Sequence, residues 1–275
     1  MPGGAPASAM TDRQKFAILR TARRIWAIGA VHAQADRVEQ LHAALWDRLE
    51  LCDRIVYLGN MIGRGPAARE TLDAVLRFRL HVLALPHSDA NDVIYLRGGQ
   101  EEMWQKLLQL QFASDPRGVL EWMLAQGVGP TLESYGIQVK DALREAATGT
   151  VALTRWTGCL RDAIHAQPGH YQILSALRRA AYTQDGSLLF VNTGLDPARP
   201  LEAQSDSFWW SSGAFGRIEA PYGTFRRIVR GFDPSHGGFK IGDYTATVDG
   251  GCGFGGSLIA ACLTPDGAIV DQVEV

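Results

Sequence analysis

Short apolar runs alternate with helically spaced apolar residues through the first hundred positions of the chain. Ile25-Trp26-Ala27-Ile28-Gly29 reads as a buried strand, followed by a loop from Ala30 to Ala33. From Asp36 onward, Val38, Leu41, Leu45 and Leu49 recur at helical spacing and predict an amphipathic helix. Ile55-Val56-Tyr57-Leu58 is a second strand that breaks at glycine into the loop Gly59 to Pro66, and Ala67 to Phe78 is a second helix. Val93 to Leu96 is a third strand, ending in Arg97-Gly98-Gly99-Gln100-Glu101. Three strand–loop–helix units in succession predict an α/β sheet with right-handed crossovers. In such sheets, ligands and catalytic groups collect in the loops at the strand ends.

Glu101 to about Tyr182 is helical in pattern, interrupted by Gly127-Val128-Gly129-Pro130 and Gln167-Pro168-Gly169, and predicts a helical insertion between strands. From Gly186 the pattern turns to β, at Leu188 to Val191, Ile228-Val229, Tyr244 to Val248, Ser257 to Leu263 and Ile269 to Val275. The glycine cluster Gly250 to Gly256 matches neither a P-loop nor a dinucleotide fingerprint, and reads as a tight connection between strands. Residues 1 to 22 read as a flexible arm running into the basic stretch Arg13 to Arg24. The expected organisation is that arm and one domain over 23–275, with the insertion at about 101–182.

Composition changes this picture little but removes several classes. At 275 residues the chain can bury a substantial core, and 46% apolar with 20% charged residues suits a globular protein. A formal charge of -2 gives no support for a nucleic-acid or acidic-membrane partner. No apolar run approaches the ~20 residues of a membrane span, and Met1 to Met10 lack the basic start and apolar core of a secretion signal. Cys52, Cys159, Cys252 and Cys262 are widely spaced, and are expected to be buried free thiols in a reducing compartment. The expected location is the cytoplasm.

Five loops carry candidate chemistry: Gly29-Ala30-Val31-His32-Ala33, Gly59 to Gly65, Gly98-Gly99-Gln100-Glu101, Phe190-Val191-Asn192-Thr193-Gly194 and Arg230-Gly231-Phe232-Asp233-Pro234. Without internal gaps they resemble G-D-x-H-G, G-D-x-x-D-R-G, G-N-H-E, F-V-H-A-G and H-G-H-T-P of the metal-dependent phosphoprotein phosphatases. These are calcineurin-like metallophosphoesterases, and the nearest branch is that of bacterial serine/threonine phosphatases and diadenosine tetraphosphatases. The segments Leu124 to Gly136, Asp196 to Gln204 and Val248-Asp249-Gly250 with Gly255 to Leu258 extend the resemblance over residues 23 to 275. It implies an α/β fold: a β-sandwich flanked by helices (α/β/β/α).

The resemblance also implies a pair of metals, Mn, Fe or Zn, which can lower the pKa of a bound water to about 7. Hard metals need carboxylate oxygens, and borderline ones also accept imidazole. By the resemblance, the ligand positions are Ala30, Asn60, Gly99, Asn192 and Phe232, and only His32 keeps a family ligand. The leaving-group acid is Gln100 and its supporting aspartate Gly63. Of two substrate-binding arginines Arg64 remains, while the other falls near Ser212. The expectation is therefore a pseudophosphatase: no catalytic residue, no metal and no cofactor. Its anion-binding candidates are Arg64, Arg230 and His32, and its partner is a protein or a phosphorylated ligand. The alternative is a metal-dependent phosphoesterase with an unusual site, for which Glu101, Asp233 and Asp249 offer carboxylates. Two blander readings stand beside these: Arg64 bracing its own loop, and Trp209-Trp210 packing in the core instead of marking a partner surface. His42, His81, His87, His165, His170 and His236 form no metal-ligand spacing.

Overall fold

The structure, a computed structural model, describes residues 15–275. Strands β2 (Arg24–Ile28), β3 (Asp53–Tyr57) and β4 (Val93–Tyr95) send successive side chains to opposite faces, as a pleated backbone requires. Ile25, Ala27, Val56 and Ile94 enter one core, while Trp26, Ile28, Ile55, Tyr57, Val93 and Tyr95 enter another. Burial on both faces is the reason these strands read as continuous apolar runs. They pair in parallel, joined by α1 (Ala35–Trp46) and α2 (Ala68–Leu83).

Six helices lie between β4 and the next strand: α3 (Gly99–Leu107), α4 (Pro116–Ala125), α5 (Gly129–Ser134), α6 (Val139–Thr148), α7 (Thr150–His165) and α8 (His170–Ser175). Antiparallel β10 (Ile259–Leu263) and β11 (Ile269–Glu274) complete a five-stranded sheet of order β11-β10-β2-β3-β4. The second sheet is built from β1 (Phe16–Leu19), β5 (Ala180–Thr183), β6 (Leu188–Val191), β7 (Arg227–Arg230), β8 (Lys240–Ile241) and β9 (Thr245–Thr247). Its order is β1-β5-β6-β7-β9-β8.

The two sheets meet face to face. Val56, Leu58, Ala261 and Leu263 of one pack with Leu188, Phe190, Val229 and Ala246 of the other. On the outer face of the second sheet, Phe208 and Trp209 of α9 (Ser207–Trp210) and Phe215 of α10 (Ser212–Phe215) cover Leu189, Val191 and Ile228. The α/β/β/α sandwich is the architecture the resemblance implied.

Two boundaries differ from the sequence pattern. Residues 1–14 of the expected arm lie outside the described residues. Phe16–Leu19, though, is a strand paired in parallel with β5, with Phe16 and Leu19 buried. The expected insertion also ends earlier, because Ala180-Ala181-Tyr182-Thr183 is a strand. Four residues with two alanines carry little β signal; pairing with β1 and β6 decides the conformation. All four cysteines are free, but only Cys252 and Cys262 are buried, and Cys52 and Cys159 are exposed. Among the described residues no helix is long and apolar enough to cross a membrane.

One buried carboxylate fixes the loop after β3. Glu101, at the third position of α3, reaches back to the Gly98 N–H at 2.8 Å, the reciprocal bond of a helix N-terminal capping box. The same carboxylate accepts from Asn60 N at 2.8 Å, Met61 N at 2.7 Å and Ile62 N at 3.2 Å. Burial raises its pKa, and the backbone donors oppose that shift. Glu101→Gln puts an N–H₂ group against backbone donors, and should lower the unfolding free energy by about 3 kcal/mol or more. Urea unfolding checks this, and a loss of under about 1 kcal/mol would show that the clamp contributes only what an ordinary hydrogen bond does.

Candidate functional site

Three loops, after β2, β3 and β7, and the N-terminus of α3 converge on a cleft of about 260 Å³. His32 comes from the first loop, Asn60 and Arg64 from the second, and Phe232 and His236 from the third. Gly99 and Gln100 of α3, Gln126, Thr193, Trp210, Ser212 and Phe254 also line it. Among the described residues no aspartate or glutamate does. Of the sequence candidates, His32, Asn60, Arg64, Gly99, Gln100 and Phe232 are therefore brought together. Ala30, Gly63 and Asn192 contact these loops without lining the cleft: Ala30 N–H donates to the Gly231 carbonyl, and the Asn192 amide donates to the Leu58 carbonyl at 2.7 Å.

The loops hold strained backbone. Among the described residues eight non-glycine positions have positive φ, and five of them are His32, Ala33, Asn60, Arg64 and His236. Such conformations are costly away from glycine and persist only where the surroundings enforce them, characteristically near functional sites. Glycine is required where the third wall approaches: a Cβ on Gly253, at φ +83°, would overlap His32. This explains part of the Gly250 to Gly256 cluster, which forms the connection between β9 and β10 and delivers Phe254 to the cleft.

Neighbouring side chains fill the space beside these positions. Asn60 Oδ1 accepts the Gln100 N–H at 3.0 Å, and the Gln100 amide donates to the Gln126 carbonyl at 2.8 Å. A Cβ on Gly63 would overlap the Gln100 side chain. One on Gly99 would lie 3.2 Å from the Trp210 indole, which sits over that glycine. Trp209 is buried and donates to the Arg97 carbonyl at 2.7 Å, so it belongs to the core. Trp210 is 45% exposed and meets Trp122 edge-on at 6.0 Å.

The three anion-binding candidates separate. Arg64 lies over the Phe254 ring at 4.2 Å, with its Nε unpartnered and no carboxylate beside it among the described residues. Burial lowers its pKa, yet an arginine remains charged. Arg230 does not line the cleft: it pairs with Asp233 at 2.8 Å and donates to the Thr247 hydroxyl at 2.9 Å. His32 is buried with neither ring nitrogen partnered, and burial, then Arg64 and His236, push its pKa down to about 3. It is a neutral imidazole wedged edge-on between Phe232 and Phe254.

The residues present do not fit a metal pair. Among the described residues no cluster of three His, Cys, Asp or Glu side chains could hold an ion. The three alternative carboxylates are committed elsewhere: Glu101 to the loop clamp, Asp233 to Arg230, and Asp249 to the Asp233 and Gly251 N–H groups at 2.7 and 2.9 Å. Sequence reasoning missed His236, Phe254 and Gln126. His236 packs on Phe254 at 3.8 Å, with Nδ1 3.7 Å from Asp249. No ligand spacing marks it; its place two residues beyond the Phe232–Pro234 motif was the available signal.

Burial of neutral histidines predicts acid sensitivity. His32 and His42 both have pKa values pushed down to about 3, His42 by burial where it bonds Tyr57. Unfolded histidine takes up a proton near pH 6.5, so between that value and about 3 the unfolded chain binds more protons. Stability should therefore fall as pH drops from 6.5, approaching about 1.4 kcal/mol per pH unit for each histidine. Urea unfolding at pH 7.5 and 5 checks it, and His32→Gln should flatten the dependence.

No family model and no curated protein matches the chain. Solved structures do, and they are members of the metallophosphoesterase and phosphoprotein phosphatase families. A protein assigned as a diadenosine tetraphosphatase superposes with a TM-score of 0.55 at 16% identity, over 94% of this chain and 97% of that one. A serine/threonine phosphatase from Saccharomyces cerevisiae, similar to human phosphatase PP5, gives 0.46 at 14% identity over 92% and 79%. A metallophosphoesterase from Sphaerobacter thermophilus gives 0.45 at 19% identity over 92% and 88%. At such identities the first likeness shows the fold alone: this chain is a metallophosphoesterase-like sandwich of two sheets flanked by helices.

Proposed function

We propose that the chain is a phosphatase-like binding module that takes a phosphate-bearing group into the cleft at Arg64 without hydrolysing it. One observation carries this reading: the cleft presents a guanidinium and no carboxylate. In the resembling family, two metals supply the positive charge there and aspartates offset it. Here the aspartate positions are Ala30, Asn60 and Gly63, and the leaving-group acid is Gln100, an amide without a proton to give. A guanidinium matches phosphate oxygens with a planar fork of donors. The strained loops support a retained binding role. Free cysteines suit a reducing compartment, in keeping with a cytoplasmic protein.

Calorimetry with inorganic phosphate and a phosphoserine peptide tests the reading. Binding should weaken about tenfold or more in Arg64→Ala and further with added salt. Arg230→Ala removes the counter-ion of Asp233 and should cost stability instead of affinity. Absence of binding at millimolar ligand would leave a protein partner that does not use this cleft. Manganese-dependent cleavage of p-nitrophenyl phosphate that disappears in His32→Ala would overturn the proposal.

Repair should fail in a specific way. Catalytic groups act as a unit, so Asn60→Asp alone should give no turnover. Gly99→Asn drives a side chain against the Trp210 indole, and should destabilise the protein unless Trp210→Ala accompanies it. Thermal melts of the single and double variants check the steric argument, and equal melting temperatures would refute it.

A further inference from the structure

A second cavity, of about 330 Å³, opens between α3, α7 and α8 and shares no lining residue with the cleft at Arg64. Leu108, Ile164, Leu174, Leu177 and the Trp104 indole give it an apolar wall. Small-molecule pockets have this character: mostly apolar, of a few hundred Å³, with a few polar groups that fix orientation. Its polar lining includes two arginines and the neutral Gln105 and Gln109. Arg97 and Arg161 both line the cavity. Arg97 meets Glu102 at 3.1 Å, whereas Arg161 donates to the Leu108 carbonyl at 2.7 Å and has no carboxylate beside it among the described residues. Five donors on a guanidinium leave Arg161 with unused N–H groups.

The only carboxylate in the lining is Glu101, whose oxygens are engaged by four backbone N–H groups of the loop clamp. The cavity thus combines apolar walls with an arginine lacking a counter-ion.

We propose that this cavity binds a small amphipathic acid, its apolar body against Leu108, Ile164, Leu174 and Leu177 and its carboxylate taken by Arg161. The inference does not rest on the reading of the Arg64 cleft. It names an independent site within the helical insertion, walled by the same α3 helix that brings Gly99 and Gln100 to that cleft.

Octanoate is a suitable probe, and n-octanol a control with the same apolar body and no charge. Titration calorimetry of the full chain should show saturable octanoate binding that saturating inorganic phosphate leaves unchanged. Leu174→Trp fills the cavity and should abolish the heat. Arg161→Gln, at a half-buried position, should weaken octanoate about tenfold with little effect on octanol. Displacement by phosphate would move octanoate to the Arg64 cleft and overturn the proposal. So would absence of saturable binding at millimolar octanoate, or binding that survives Leu174→Trp. Octanol binding as tightly as octanoate, or an Arg161→Gln variant with unchanged affinity, would overturn the assignment of an acid.

Discussion

A carboxylate buried in the middle of the fold is the constraint on which the cleft depends. Glu101 joins the loop after β3 to the N-terminus of α3 by accepting N–H groups from both sides. Removing a carboxylate from water is costly, and only a full set of donors makes it tolerable. That requirement works in both directions. The donors stabilise the charge, and the charge holds Asn60, Met61 and Ile62 in one arrangement. Asn60 at φ 55° and Arg64 at φ 61° lie within or just beyond this clamped segment. Their backbone strain is sustained by bonds that a looser loop would lack.

Around the clamp, the side chains of the cleft loops fit one another. Gln100 occupies the space a side chain at Gly63 would need and satisfies its amide on Gln126. Trp210 covers Gly99, and Asn192 bonds the Leu58 carbonyl. Orphaned groups remain beside them: both His32 ring nitrogens, the Arg64 Nε, the Gln100 Oε1 and the His236 Nδ1 have no hydrogen-bond partner among the described residues.

Much of this was legible in the sequence, for physical reasons that also set the limits. β2, β3 and β4 are buried on both faces, so their apolar runs are continuous and their glycine breaks sharp. The five loops sit at strand ends, where the apolar runs stop. β1 was hidden because Phe16–Leu19 is a short edge strand beside basic residues, and its pairing with β5 spans more than 160 positions. β5 was hidden for the same reason, its conformation being set by partners distant in the chain. Phe254 and His236 could not be placed in the cleft from sequence, because the approach of the β9–β10 connection to His32 is a tertiary fact.

Arg64 and Arg230 show most plainly what sequence withholds. Both lie in strand-end motifs, and both stack on a phenylalanine, at 4.2 Å over Phe254 and 4.3 Å over Phe215. Burial lowers the pKa of each. Read along the chain, they are equivalent cations. The difference is a counter-ion three residues away: Asp233 reaches Arg230, and Asp249 in turn accepts the Asp233 N–H, so that charge is neutralised inside a closed network. Among the described residues no carboxylate faces Arg64. A guanidinium whose charge is met only by an aromatic face and dipoles retains a field directed into the cleft. The nearest carboxylate thus separates the two arginines: Asp233 neutralises Arg230, and Arg64 has no such partner among the described residues.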